Sequence, residues 1–108
     1  MLYRFKSRNS GDVIMLEPHG KRVLEIIGKE AGPQGIVLAE QIPQAISDLQ
    51  AAVEKEEAEF ARAKAEFQAG QTREPPDAEA VRLRQRVQPF LDQLRRSHES
   101  GDPVVWGV

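Results

Sequence analysis

The chain has 108 residues, with 15 basic and 17 acidic side chains and a formal net charge of −2. That length suits one domain with one modest core, and that charge gives no whole-chain electrostatic footprint for nucleic acid. There is no cysteine, which excludes disulfides and thiolate chemistry. No apolar run approaches the ~20 residues needed to span a bilayer. Residues 1–6 interleave charged and apolar side chains, unlike a secretory leader. The expectation is a single cytoplasmic domain without membrane association.

Residues 2–7 alternate, with Leu2, Arg4 and Lys6 on one face and Tyr3, Phe5 and Ser7 on the other. This is the pattern of a half-buried strand with its aromatic face inward. Residues 8–12 carry turn chemistry. Residues 13–16 fit either a second strand closing a hairpin or one helical turn. The spacing of Val13, Leu16, Gly20, Val23, Leu24 and Ile27 favours a helical turn followed by a helix over 18–27. Pro18 then takes an allowed first-turn position and Gly28 caps the end. Gly32 and Pro33 mark a loop, and residues 35–38 read as a short strand or an extended connector.

A long helix is predicted over 43–68. Ile42, Ile46, Leu49, Val53, Glu56, Phe60, Ala63 and Phe67 recur in steps of three and four, the rhythm of one buried stripe. Glu56 is the charged interruption. Gly70 closes this helix, and Glu74, Pro75 and Pro76 separate it from the next. A second helix is predicted over 77–100, started by Asp77 and carrying the stripe Ala80, Leu83, Val87, Phe90 and Leu94. Pro89 inside it predicts a kink. Gly101 and Pro103 stop it, and residues 104–107 read as a strand whose partner is residues 2–7.

These elements make an α+β domain. A long antiparallel helical hairpin packs on a small sheet built from the N- and C-terminal strands, with a short N-terminal helix added. A turn centred near Arg73 sets Phe60 level with Val87, Val53 level with Leu94, and Glu57 beside Phe90 and Leu91. Phe60, Phe67 and Phe90 are expected in the core, as is Trp106, its indole N–H bonded to a carbonyl.

Three stretches carry a resemblance: the opening Leu2-Tyr3-Arg4-Phe5-Lys6-Ser7, the run from Gly11-Asp12-Val13-Ile14-Met15-Leu16-Glu17-Pro18 on to Leu24-Glu25-Ile26-Ile27-Gly28-Lys29, and the ending Val104-Val105-Trp106-Gly107-Val108. Together they resemble a family of short proteobacterial proteins catalogued as domain of unknown function 1840. The resemblance implies a single bacterial, cytoplasmic domain and carries no activity, ligand or site residue.

Candidate chemistry is sparse. Asp12, Glu17 and His19 lie close in sequence, and a histidine beside carboxylates can serve as a base or a metal ligand. The simpler reading of His19 is a surface turn residue, and that of His98 a last-turn residue suited to the helix dipole. Arg82 and Arg86, with Arg96 further along, make a basic helical edge able to grip phosphates. The simpler reading there is charge pairing with Glu54, Glu56, Glu57 and Glu59 on the other helix. No cofactor and no metal site is expected, since two histidines far apart without cysteine give no ligand spacing. The reading that leads is a non-enzymatic interaction or accessory domain with a protein partner or self-association as a homodimer. Nucleic-acid binding along the arginine edge and a small ligand-binding or enzymatic site around Asp12, Glu17 and His19 are the alternatives.

Overall fold

The computed structural model describes residues 2–76 and 83–107. Strands β1 (Leu2–Ser7) and β2 (Ser10–Leu16) form an antiparallel pair, with Leu2 opposite Leu16, Arg4 opposite Ile14 and Phe5 opposite Val13. This corrects the helical turn expected over 13–16. The apolar run has period two: Met15 is buried, while Ile14 and Leu16 are 52% and 59% exposed. Four apolar residues are too few to display that period against a helical one. Pairing with β1 decides it, because the ladder satisfies the backbone that a single helical turn would leave open.

Helix α1 (Glu17–Ile26) follows at once, with Pro18 in its first turn and Gly20, Val23 and Leu24 buried. Strand β3 (Gly35–Val37) comes next, then one 3₁₀ turn (Ala39–Gln41) and the long helix α2 (Ile42–Gln68). Helix α3 is described from Leu83 to Ser100 and runs unbroken through Pro89, which is exposed. Residues 77–82, including the expected N-cap Asp77 and the stripe position Ala80, lie outside the described residues. Strand β4 (Val104–Trp106) completes a four-stranded antiparallel sheet in the order β2-β1-β4-β3. The sheet is therefore larger than the two terminal strands predicted.

The helices gather on one face of this sheet. Tyr3, Phe5, Met15, Val37, Val104 and Trp106 turn inward and share one cluster with Leu24, Ile42, Leu49, Phe90 and Leu94. Phe5 is its hub, with ring centroids 4.6 Å from Phe90 and 6.0 Å from Trp106. Each fully buried Leu or Phe here contributes roughly 1.5–3 kcal/mol. Two polar handles tie the 29–34 loop to the sheet: the Trp106 indole N–H donates to the Gly32 carbonyl at 3.2 Å, and the Tyr3 hydroxyl to that of Ala31 at 2.9 Å.

Helix α2 is anchored through Ile42, Ala45, Leu49 and Val53, and no described position beyond Val53 is buried. Phe60 is half-buried, and Phe67 is 42% exposed, against the expectation of a core position. The register against α3 also differs from a turn centred at Arg73. Glu57 receives a forked contact from Arg84, at 2.6 and 3.0 Å, rather than lying beside Phe90 and Leu91. At the end of α2, Gly70 has φ +74° and the Gln71 N–H closes on the Glu66 carbonyl at 3.0 Å, a left-handed cap.

Candidate functional site

The residues singled out from sequence are each held by a different neighbour. Asp12 lies on β2 with its carboxylate 4.0 Å from the Arg4 guanidinium on β1. Glu17, in the first turn of α1, pairs with Lys21 one turn on at 3.0 Å. That hydrogen bond and the ammonium charge hold the Glu17 carboxyl below its ordinary range and raise Lys21. His19 is half-buried on the same helix, with Nδ1 3.1 Å from Arg86 Nη1 of α3. A guanidinium only donates, so Nδ1 is the acceptor in this contact and the imidazole proton sits on Nε2. Asp12, Glu17 and His19 thus each face a cation of their own. Among the described residues, no three histidine or carboxylate side chains converge to hold a metal ion.

The arginines divide in the same way. Arg82 lies outside the described residues. Arg84 turns to α2, where its hydrogen bond to Glu57 lowers that carboxyl below its ordinary range and raises the guanidinium. Arg86 turns to α1 and His19. Arg96 is exposed and lines a shallow groove beside the open side of β2, with Asp12, Val13, Pro89 and Asp92. Helical spacing sets Arg82, Arg86 and Arg96 along one edge; of the two that are described, Arg86 meets α1 and Arg96 lies beside β2, while Arg84 makes the charge pairing expected with the glutamates of the other helix.

The charged interruption in the α2 stripe has a similar explanation. Glu56 is paired with Arg22 of α1 at 3.1 Å, and its side chain is only 13% exposed. The pair lines an open cleft between α1 and α2, of about 400 Å³, together with Ile26, Ala52, Phe60 and Ala63.

Sequence reasoning missed a buried polar spine on α3. Gln93, 2% exposed, donates through Nε2 to the carbonyls of Phe5 at 2.8 Å and Gly11 at 3.1 Å. It thereby satisfies backbone where the β1–β2 register shifts. One turn later Ser97, 1% exposed, bonds the Ser7 hydroxyl at 2.7 Å, and Ser7 donates in turn to the Pro103 carbonyl. The signal was legible: stepping on from Phe90 and Leu94 reaches Ser97, a polar residue at a core position.

The second missed feature is the outer face of the sheet. Leu2, Ile14, Leu16 and Ile36 are 56%, 52%, 59% and 41% exposed. The register sets Leu2 beside Leu16, Arg4 beside Ile14, and Val105 between Lys6 and Ile36. Apolar side chains thus occupy two corners of the face, and Arg4, Lys6 and Asp12 lie between them. Exposed apolar groups grouped with a polar surround mark interaction surfaces more often than catalytic ones.

The family model described as Domain of unknown function (DUF1840) matches residues 1–106. The chain belongs to that family. No curated protein and no solved structure matches it.

Proposed function

We propose that this chain is a non-enzymatic interaction domain that meets a protein partner through the outer face of its sheet. The observation that supports this is the exposed set Leu2, Ile14, Leu16 and Ile36, on a face the helices leave open. In this reading α1 and the antiparallel hairpin of α2 and α3 are the scaffold. The ion pairs Arg22–Glu56 and Arg84–Glu57 link α2 to α1 and α3, and the packed inner face backs the sheet whose outer face is left open. Among the described residues no helix is long and apolar enough to cross a membrane. The reading places the protein in the cytoplasm, where a chain without cysteine loses nothing to a reducing environment.

The test is chemical cross-linking in the source cell with the wild-type chain and with a Leu2→Ser/Ile14→Ser/Leu16→Ser variant. These side chains are exposed, so the variant should keep its circular dichroism spectrum. The wild type is expected to cross-link to a protein, another copy included, that the variant loses. Identical cross-linked sets from the two chains would overturn the reading.

A further inference from the structure

We infer that the partner on the outer face of the sheet is an acidic amphipathic helix of another protein, with apolar side chains near its two ends and carboxylates between them. This rests on the interaction reading above and names the chemistry of its partner.

The sign of the face comes from β1. Its outward residues are Leu2, Arg4 and Lys6, and Arg8 follows in the turn. At that end Lys6 and Arg8 line an open groove of about 540 Å³ with Asp12, Asp102 and Val105. Both carboxylates of the groove are already engaged. Asp12 faces Arg4 at 4.0 Å, and Asp102 accepts hydrogen bonds from Asn9 Nδ2 at 2.9 Å and Ser100 Oγ at 2.8 Å. Among the described residues, Lys6 and Arg8 make no ion pair. The face thus sets three cations against two carboxylates, on a chain whose net charge is −2. The rest of the surface is acidic on balance, so an acidic partner is drawn to this face and repelled elsewhere.

The apolar residues set the shape of the occupant. From a strand spacing of about 4.8 Å and a rise of about 3.4 Å per residue, the corner at Leu2, Ile14 and Leu16 lies roughly 15 Å from Val105 and Ile36. About ten residues of α-helix span that distance. Arg4 and Lys6 fall between the two apolar groups. A helix laid across the face sets apolar side chains on both groups and carboxylates over the cations, with its own backbone already bonded. An extended segment laid flat there would leave backbone N–H and C=O groups without partners. Nucleic acid fits less well. The aromatic residues of the sheet, Tyr3, Phe5 and Trp106, turn inward, and none is left on the outer face to stack a base.

Carbodiimide coupling in an extract of the source cell, with the linked peptides identified by mass spectrometry, tests this, because it joins an ammonium only to a carboxylate in contact with it. The expected product joins Lys6 Nζ to an Asp or Glu of another protein, in a sequence with apolar residues at helical spacing on both sides. Lys6→Arg keeps the charge and removes the amine, so it should lose this link and keep the partner in the cross-linking described above. Lys6→Gln/Arg8→Gln should cut the partner yield roughly five- to ten-fold, as loss of two charge pairs predicts. Lys6 is half-buried and Arg8 exposed, so both variants should keep the circular dichroism spectrum of the wild type. The inference is overturned if Lys6 joins only Asp12 or Asp102 of its own chain, a second copy, or no carboxylate at all. A complex removed by nuclease overturns it too. A partner that depends on Leu2, Ile14 and Leu16 but is kept in full by Lys6→Gln/Arg8→Gln defeats the acidic helix alone. A wild type that cross-links to nothing defeats the interaction reading as well.

Discussion

Replacing Gly20 by alanine should destabilise the protein, although helix propensity alone says the reverse. Gly20 lies inside α1, where alanine is favoured over glycine by about 1 kcal/mol. A Cβ at this position would sit 2.6 Å from Tyr3 Cγ and 2.9 Å from Tyr3 Cβ, where carbon atoms normally keep about 3.5–4.0 Å apart. These atoms are at the root of the tyrosine, so turning the ring cannot clear them. Its far end is fixed by the hydroxyl bond to Ala31 at 2.9 Å, and its plane lies 11° from that of Phe5. The helix and the strand must therefore move apart. Overpacking of this kind costs about 1–3 kcal/mol, and the lost Tyr3 hydrogen bond adds about 0.5–1.5 kcal/mol. Subtracting the propensity gain leaves a net loss of about 1–3 kcal/mol, a fall in Tm of roughly 5 °C or more for a domain of this size. Thermal and urea melts followed by circular dichroism measure it. Gly11→Ala serves as the control, since a Cβ there meets nothing within 4 Å, and it should change stability by less than about 0.5 kcal/mol. A Gly20→Ala protein as stable as wild type, or more so, would refute the packing argument.

Phe90→Ala should cost about 3–5 kcal/mol, because it empties the site against Phe5. Phe67→Ala should stay within about 0.5 kcal/mol of wild type; equal losses in the two urea midpoints would contradict the burial assigned to α2. Gln93→Leu keeps the volume but strips two carbonyls of their donor, so a loss of about 1–3 kcal/mol is expected. Faster amide exchange around the β1–β2 turn should accompany it, and unchanged exchange would count against the role given to Gln93. Glu57→Gln tests the pair with Arg84 by pH. The pair lowers the folded-state value of Glu57 below 4.5, so its stabilisation is complete above 4.5 and is lost as pH falls through the lowered value. The stability gap between wild type and Glu57→Gln should be steady near neutral pH and close on acidification. A gap that widens in acid would be inconsistent with the pairing.

The α+β class and both terminal strands were legible because their signals are long or strongly alternating. The aromatic side of β1 and the α3 stripe through Leu83, Val87, Phe90 and Leu94 point inward as the spacing predicts. Residues 13–16 were not legible, since four apolar residues look alike in a strand and in a helical turn until a neighbour claims their backbone. Phe67 kept the rhythm of the stripe without a surface to bury it, and periodicity records only which way a side chain points. The pairing of Arg84 with Glu57 was legible as opposite charges on two facing helices, whereas the meeting of Arg86 with His19 of α1 depends on a helix packing that spacing along one helix does not record. The outer sheet face depended on cross-strand neighbours, Leu2 with Leu16 and Val105 with Ile36, that only the register supplies.

β4 is the last strand in the chain and lies between β1 and β3. Phe5 is paired with Trp106, so the middle of the sheet waits on residues made far apart in time. While the chain is emerging, β1, β2 and α1 can assemble from local contacts, but β3 has no strand to join and Phe5 lacks the ring of Trp106. Closing that long loop carries an entropy cost of roughly 4 kcal/mol before the constant term, met only when the central strand arrives. Closure of the sheet should therefore be the late step in the folding of these residues. A break in translation shortly before Val104 would release a chain with half a sheet, its inner face still open to other nascent chains.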